Sequence, residues 1–413
     1  MSRPKWMAVA LVALAVIAAA ALALSACGSS GGSSSSSPSS SAAAGGGSIK
    51  VGFVNSATGV SAAPNQAIVG STQGAVGETN AKGGIDGKWQ IDLISKDDGS
   101  DVAKASAAMT QLIQQDKVDF ILQPWVDFIA PVARGIAEKS GVPEILSYHP
   151  AKNDTQTYNW TFSNAQGAED NADALVKIFA QQGWKTVVGV GDVLTIQQET
   201  LDFTAEMAPS QGIKFVRMKD QWPLDQTDFS GVAAKIAAAC SDANADALCL
   251  MITAPQADAM MKALKGAGLT IPVIGGPPLA QAIPLFAAGT ENVDGMYLIS
   301  TAVTAGPQLP DSYPAKPMVA GFYDAVMKET NAPPDNFGAW AFDAVQLMNA
   351  AVTKAGSTDK AAVRDALESI TGFYGVAGQY NYSASDHIGI HGGMWFFQIK
   401  NGEYKLIGDK SIN

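Results

Sequence analysis

The residues best able to do chemistry are few. Three histidines occur, His149, His387 and His391, with three cysteines, Cys27, Cys240 and Cys249. His387 and His391 are separated by Ile388-Gly389-Ile390, a spacing that puts both on one face of a strand or helix. With no third ligand nearby, they read as a hairpin surface rather than a metal site. The chain has no Gly-x-Ser-x-Gly elbow, no His-Glu-x-x-His and no cysteine cluster of metal-ligand spacing. The stretch 83–89 contains Gly87-Lys88, but the spacing is short and Trp89 stands where a phosphate loop needs a magnesium-binding hydroxyl. Gly189-Val190-Gly191 lacks the third glycine of a dinucleotide fingerprint and reads as a tight turn. No nucleophile and base lie in an evident pair. The sequence therefore predicts no catalytic residue, no metal and no cofactor: a protein that is not an enzyme.

Binding chemistry is better supplied. Trp125, Val126, Asp127 and Phe128 connect a strand at 118–122 to a helix starting near Ala130. The free N–H groups and dipole of that helix start suit an anion, and the two aromatics offer flat apolar walls. Ser147, Tyr148 and His149 directly follow a short strand at 144–146. In parallel α/β sheets, ligands bind beyond the carboxyl ends of strands. His149 is thus either a ligand contact or a loop histidine held by backbone.

The elements that must position these loops alternate along the chain. Strands are predicted at 49–54, 90–95, 118–122 and 144–146, with helices at 67–80, 102–115 and 130–140 between them. The pattern restarts with helices at 172–182, 200–211 and 229–241 and strands at 186–190, 214–218 and 247–252, followed by a helix from Pro255. Such alternation implies parallel sheets covered by helices on both faces, an α/β fold. Long helices at 318–330 and 341–354 and short strands at 379–382 and 394–399 close the chain. Cys240 at a helix end and Cys249 in the next strand are either a disulfide or two buried free thiols.

The N-terminus is of another kind. Arg3 and Lys5 precede an unbroken apolar run over 7–24, which ends in Leu24-Ser25-Ala26-Cys27. This pattern resembles a bacterial lipobox, with 1–26 the signal peptide and Cys27 the lipidated mature N-terminus. Residues 28–48 are only Gly, Ser, Ala and Pro38, a composition that buries no apolar surface. As a flexible coil this tether spans about 25 Å end to end. The chain carries 27 basic and 38 acidic residues, a net charge of −11, and loses two cations with the signal peptide. Such acidity argues against nucleic acid or anionic lipid headgroups as partners.

Taken in order, several short segments make the chain resemble a known family. They are IKVGFVNSATG at 49–59, NAKGGIDGK at 80–88, Asp97-Asp98-Gly99, Gly141-Val142-Pro143, Phe229-Ser230-Gly231, ALKGAGL at 263–269 and Phe342-Asp343-Ala344. The chain from Ile49 onward is similar to the leucine/isoleucine/valine-type solute-binding proteins of ABC importers, which have the type I periplasmic-binding fold. The resemblance implies two Rossmann-like lobes, 49–163 plus 300–374 and 164–299 plus 375–413. It also implies three crossings, near 162–164, 299–302 and 373–376. The ligand would lie between the lobes and be enclosed by hinge closure. The implied partners are a small solute, an ABC permease with its ATPase subunits, and the membrane through the lipid anchor, for a monomer on the extracytoplasmic face. A ligand-sensing receptor of the same fold is the alternative role.

The resemblance also marks a pocket, and there the sequence departs from the family. Thr58 falls in the loop after the first strand. The serine and threonine that hold an α-carboxylate in amino-acid-binding members fall at Val126 and Lys152. Two tyrosine positions fall at Ile196 and Thr253, and the acid that meets the α-ammonium falls at Pro277. A buried ammonium without an acidic partner is costly. The departures imply a small, substantially apolar or aromatic acid or amide rather than leucine.

Overall fold

The computed structural model describes residues 47–59, 61–123, 129–147 and 159–412. Cys27, residues 28–46 of the expected tether, Trp125, Val126, Asp127, Phe128, Tyr148, His149 and Lys152 lie outside the described residues, whereas Ser48, expected to end the tether, opens the first strand. Among the described residues, no helix is long and apolar enough to cross a membrane.

The first lobe begins with β1 (Ser48–Asn55), α1 (Ala62–Ala81), β2 (Gln90–Asp97), α2 (Val102–Gln111), β3 (Phe120–Gln123), α3 (Ala130–Ser140), β4 (Glu144–Leu146) and β5 (Thr161–Ser163). Its sheet runs β2-β1-β3-β4-β5, with every pairing parallel. Alternation along the strands divides the core. Ile49, Val51, Phe53 and Phe120 pack with Ile68 and Ala75 of α1, while Val54 and Ile121 pack with Met109 of α2 and Ala133 and Ala137 of α3. Both faces are covered, which is why these strands read as nearly continuous apolar runs. The helix expected through 102–115 instead ends in a π-helical turn, Leu112–Asp116, closed by Lys117 in the left-handed region at φ 55°.

The second lobe contains α4 (Ala168–Gln182), β6 (Thr186–Gly191), α5 (Thr195–Met207), β7 (Lys214–Arg217), α6 (Ser230–Ala243), β8 (Ala247–Met251), α7 (Ala254–Gly266), β9 (Val273–Gly275), α8 (Ala282–Leu285) and β10 (Tyr297–Ser300). The chain then returns to the first lobe. It forms α9 (Ala302–Ala305), α10 (Lys316–Thr330), α11 (Asn336–Ala355) and α12 (Lys360–Glu368), then the pair β11 (Phe373–Tyr374) and β12 (Gln379–Tyr380). Finally β13 (Met394–Lys400) and β14 (Glu403–Ile412) add antiparallel strands to the second sheet, whose order is β14-β13-β10-β9-β8-β6-β7.

Two cysteine and glycine expectations are settled by these faces. Cys240 and Cys249 are free, buried thiols, so the disulfide alternative is corrected. Leu248 and Leu250 of β8 pack in the core that holds Cys240 of α6, while Cys249, one residue out of phase, packs with Val187 and Phe179. The two sulfurs therefore sit on opposite faces of one sheet. Gly189 and Gly191 belong to β6 rather than to a turn. A Cβ on Gly189 would stand 2.0 Å from Cζ of Phe215.

One buried carboxylate joins the passages between lobes. Asp343 on α11 accepts the Val376 N–H (2.7 Å), the Ala377 N–H (2.9 Å) and the Tyr380 hydroxyl (2.8 Å). The same hydroxyl lies 3.3 Å from the Asn164 carbonyl of the first passage. The Ala302 N–H of the second passage donates to the Ala377 carbonyl (3.4 Å). The third passage is longer than the 373–376 that the resemblance implied. Ile388 still bridges Ser163, and the chain enters β13 only at Met394.

Candidate functional site

A cavity of about 1310 Å³ lies between the lobes, at the carboxyl ends of the parallel strands. The first lobe contributes Ser147 after β4 and Trp340 and Phe337 of α11. The second contributes Leu194 and Ile196 after β6, Thr253 after β8 and Pro277 after β9. The lining extends along α1 and α10, past Gly74 and Phe322.

The second-lobe wall is apolar and held from behind. Leu224 is 48% exposed and Ile283 66%, large apolar side chains turned to the cavity rather than the core. Behind them Asp192, fully buried, accepts the Leu194 N–H (3.1 Å), the Gln197 amide (2.8 Å) and the Thr253 N–H (3.1 Å). Burial pushes this acid up to about 6, against the pull of those hydrogen bonds. Next to it the Trp222 indole donates to Gln256 Oε1 (3.1 Å), and Gln256 Nε2 donates to the Pro223 carbonyl (2.9 Å). The loops after β6, β7 and β8 are thus one hydrogen-bonded unit. The Thr253 hydroxyl also faces Gln256 Oε1, at 3.4 Å.

Of the expected contacts, Ser147, Ile196, Thr253 and Pro277 are brought together on the cavity. Thr58 is not: it is exposed, and its hydroxyl donates to Asp97 Oδ2 (2.7 Å), tying the loop after β1 to the end of β2. The two C-terminal histidines diverge, consistent with a surface hairpin for His391 but not for His387. His391 pairs with Asp386 at 2.9 Å, whereas His387 is buried, stacks on Phe162 at 4.1 Å and meets Glu368 at 3.0 Å. Among the described residues, no group of three or more His, Cys, Asp or Glu is placed to hold a metal.

This two-lobed arrangement, with its site between lobes, agrees with a periplasmic binding protein family model that matches residues 48–403. The chain belongs to that family. A curated relative is the Leu/Ile/Val-binding protein BraC3 of Rhizobium johnstonii, 24% identical over 323 residues, covering 78% of this chain and 83% of the relative. Among solved structures, the branched-chain amino acid transporter substrate-binding protein LivJ of Streptococcus pneumoniae, in complex with isoleucine, is 25% identical. Its TM-score is 0.72, over 88% of this chain and 99% of that one. An R. palustris solute-binding protein in complex with benzoate is 21% identical, with TM-score 0.71 over 88% of this chain and 97% of its own. The family members matched are binding proteins, not enzymes.

Sequence reasoning missed the cavity's charge. Among the described lining residues, Glu78, Glu199, Asp225, Glu329 and Asp335 are acidic, and none is Lys, Arg or His. It also missed Gln166 and Asn171, polar residues at the start of α4 that line the cavity. The signal available was position: Gln166 follows the first crossing by two residues.

Proposed function

We propose that this chain is the extracytoplasmic, lipid-anchored solute-binding component of an ABC importer, capturing a small molecule with a substantially apolar body. Cys27 carries the anchor, the tether runs from it to the start of β1 at Ser48, and 49–163 plus 300–374 closes on 164–299 plus 375–413 as a hinge. The observation that carries the reading is the apolar wall of Leu194, Ile196, Leu224 and Pro277, presented by the second lobe to a cavity shared with the first. An exposed apolar surface of this kind gains free energy by burying a ligand, at about 25 cal/mol per Å².

Pro277 stands where an acid would meet an α-ammonium, which supports a ligand other than a free branched-chain amino acid. The isoleucine and benzoate complexes of the two structural relatives bracket the size and apolarity of the expected ligand. The candidate contacts are Ser147, Ile196, Thr253 and Pro277, with Trp125, Val126, Asp127, Phe128, Tyr148 and His149 completing the first-lobe side. The reading is tested by a thermal-shift screen of amino acids, aliphatic and aromatic acids and their amides. A ligand at a hundred times its dissociation constant adds about 2.7 kcal/mol of stability. No stabilisation by any small apolar solute would overturn it.

A further inference from the structure

The buried carboxylate of the hinge faces a hydroxyl that has two places to put one proton. Tyr380 Oη lies 2.8 Å from Asp343 Oδ2 and 3.3 Å from the Asn164 carbonyl, and both are acceptors. A phenol carries a single O–H, so it bonds fully to one of them at a time. All three residues are fully buried. The Val376 and Ala377 N–H groups hold the carboxylate at 2.7 and 2.9 Å, and a Cβ on Gly375 would stand 2.3 Å from Oδ2. Asp343 lies on α11, Asn164 in the first passage and Tyr380 in the third, so the choice of acceptor decides which parts of the hinge are joined.

Burial pushes Asp343 up to about 7, against the three hydrogen bonds. The other titratable groups about it are tyrosines. Tyr382, whose hydroxyl donates to the Ser163 carbonyl at 3.0 Å, and Tyr313 are both pushed up by burial and by the charge of Asp343. On the neighbouring elements, Glu78 of α1 pairs with Lys82, Glu144 of β4 accepts from Thr161, and Arg364 and His387 both meet Glu368 of α12.

We infer that Asp343 and Tyr380 form a proton-operated joint in the hinge, at which uptake of one proton adds a hydrogen bond between the first and third passages. The inference rests on the hinge-closing binding reading above and deepens it with a regulation of that site. While Asp343 is ionised, its charged and closer oxygen takes the Tyr380 proton. When a proton from solvent binds Oδ2, that O–H donates to Tyr380 Oη, and the phenol proton turns to the Asn164 carbonyl. Val376 and Ala377 keep their acceptors, so no bond is lost and one is gained. The added bond holds the two passages at the separation seen here, and rotation of the lobes must break it. Ligand capture by closure is therefore weaker on the protonated side.

The test is calorimetry on the full chain between about pH 6 and 8.5, with leucine, isocaproate, isocaproamide, benzoate and benzamide, none of which changes charge appreciably in this range. Asp192 and Glu144 also titrate near it, so the reading is the difference between the wild type and Tyr380→Phe, which keeps the ring and removes only the hydroxyl. The wild-type dissociation constant is expected to rise about twofold to tenfold more than that of the variant as pH falls through about 7, the factor carried by one neutral hydrogen bond. A merely structural role for Tyr380 would change the affinity at every pH alike. Carbon-13 resonances of labelled aspartates, with Asp343 assigned through Asp343→Asn, give a second reading that needs no ligand. The Asp343 carboxyl should titrate near pH 7, and higher in Tyr380→Phe, where the anion loses a donor. The same pH dependence in both proteins, or no Asp343 titration in this range, would overturn the inference and leave the binding reading intact. Failure of the wild-type protein to bind any solute in the wider screen would overturn both.

Discussion

Replacing Glu144 by glutamine isolates the cost of burying one acid beneath the cleft. Glu144 opens β4, three residues before Ser147, and is fully buried. One oxygen accepts the Thr161 hydroxyl at 3.1 Å, and the other has no hydrogen-bond partner. Burial pushes its carboxyl up to about 8 from an ordinary 4.5; nearby Glu138 raises it further, while Thr161 and Arg134 oppose. A displacement of that size corresponds to roughly 5 kcal/mol in the cost of ionising the folded protein. The sign follows from linkage. Between about pH 4.5 and 8 the folded state holds a proton that the unfolded state has lost. The group's stabilising contribution is therefore complete below about 4.5 and lost as pH rises to about 8. Glu144→Gln keeps the shape, leaves an acceptor for Thr161 and removes the titration. It is expected to be nearly neutral at about pH 5 and stabilising by about 3–4 kcal/mol at about pH 7.5, where the folded carboxyl is still mostly protonated and the substitution takes no charge from beside Arg134. Denaturant titrations across this range read the difference directly. Parallel pH profiles for the two proteins would refute the argument.

Four further outcomes are expected. Cys27→Ala should move the protein from the membrane fraction to the soluble fraction or block its processing; an equally membrane-bound, mature-sized variant would refute the anchor. Small-angle scattering should give a smaller radius of gyration when a ligand from the thermal-shift screen saturates the protein, and an unchanged profile would refute hinge closure. Cys240 and Cys249, whose thiols burial pushes up to about 11 and about 12, should react with a thiol reagent only on unfolding, with no effect of reductant on stability. Asp192→Asn leaves one oxygen where two now serve three donors, so it should cost about 1–3 kcal/mol of stability and also weaken ligand binding; unaltered affinity would separate Asp192 from the wall.

The parallel sheets were legible because their strands are buried on both faces, and runs such as Val51 to Val54 have no other use. Elements outside that pattern were not. The edge strand β14 is mostly polar and interrupted by Gly408, with φ 85°, so neither alternation nor an apolar run marks it. Helix α12 is only nine residues long, too short for several turns of periodicity. Strand β9 has three residues, all buried, and is recognised only by its neighbours β8 and β10. The cysteine question was open to the sequence in principle. With Leu248 and Leu250 facing the helix that carries Cys240, period-two alternation turns Cys249 away. Gln166 and Asn171 carry no such mark, because a lone glutamine and a lone asparagine gain meaning only when Trp340, more than a hundred residues later, is placed against one of them.

The second-lobe side of the cleft satisfies its own polar groups, and this bears on selectivity. Asp192 and Gln256 spend their polar atoms inward, holding three loops so that the wall needs nothing from a ligand but apolar surface. Such a surface discriminates weakly: an added or missing methylene is worth about 1–3 kcal/mol, and many shapes are accepted. The wall therefore sets the size and apolarity of what binds. Changes at Leu194 or Ile196 should shift affinity across a whole ligand series together.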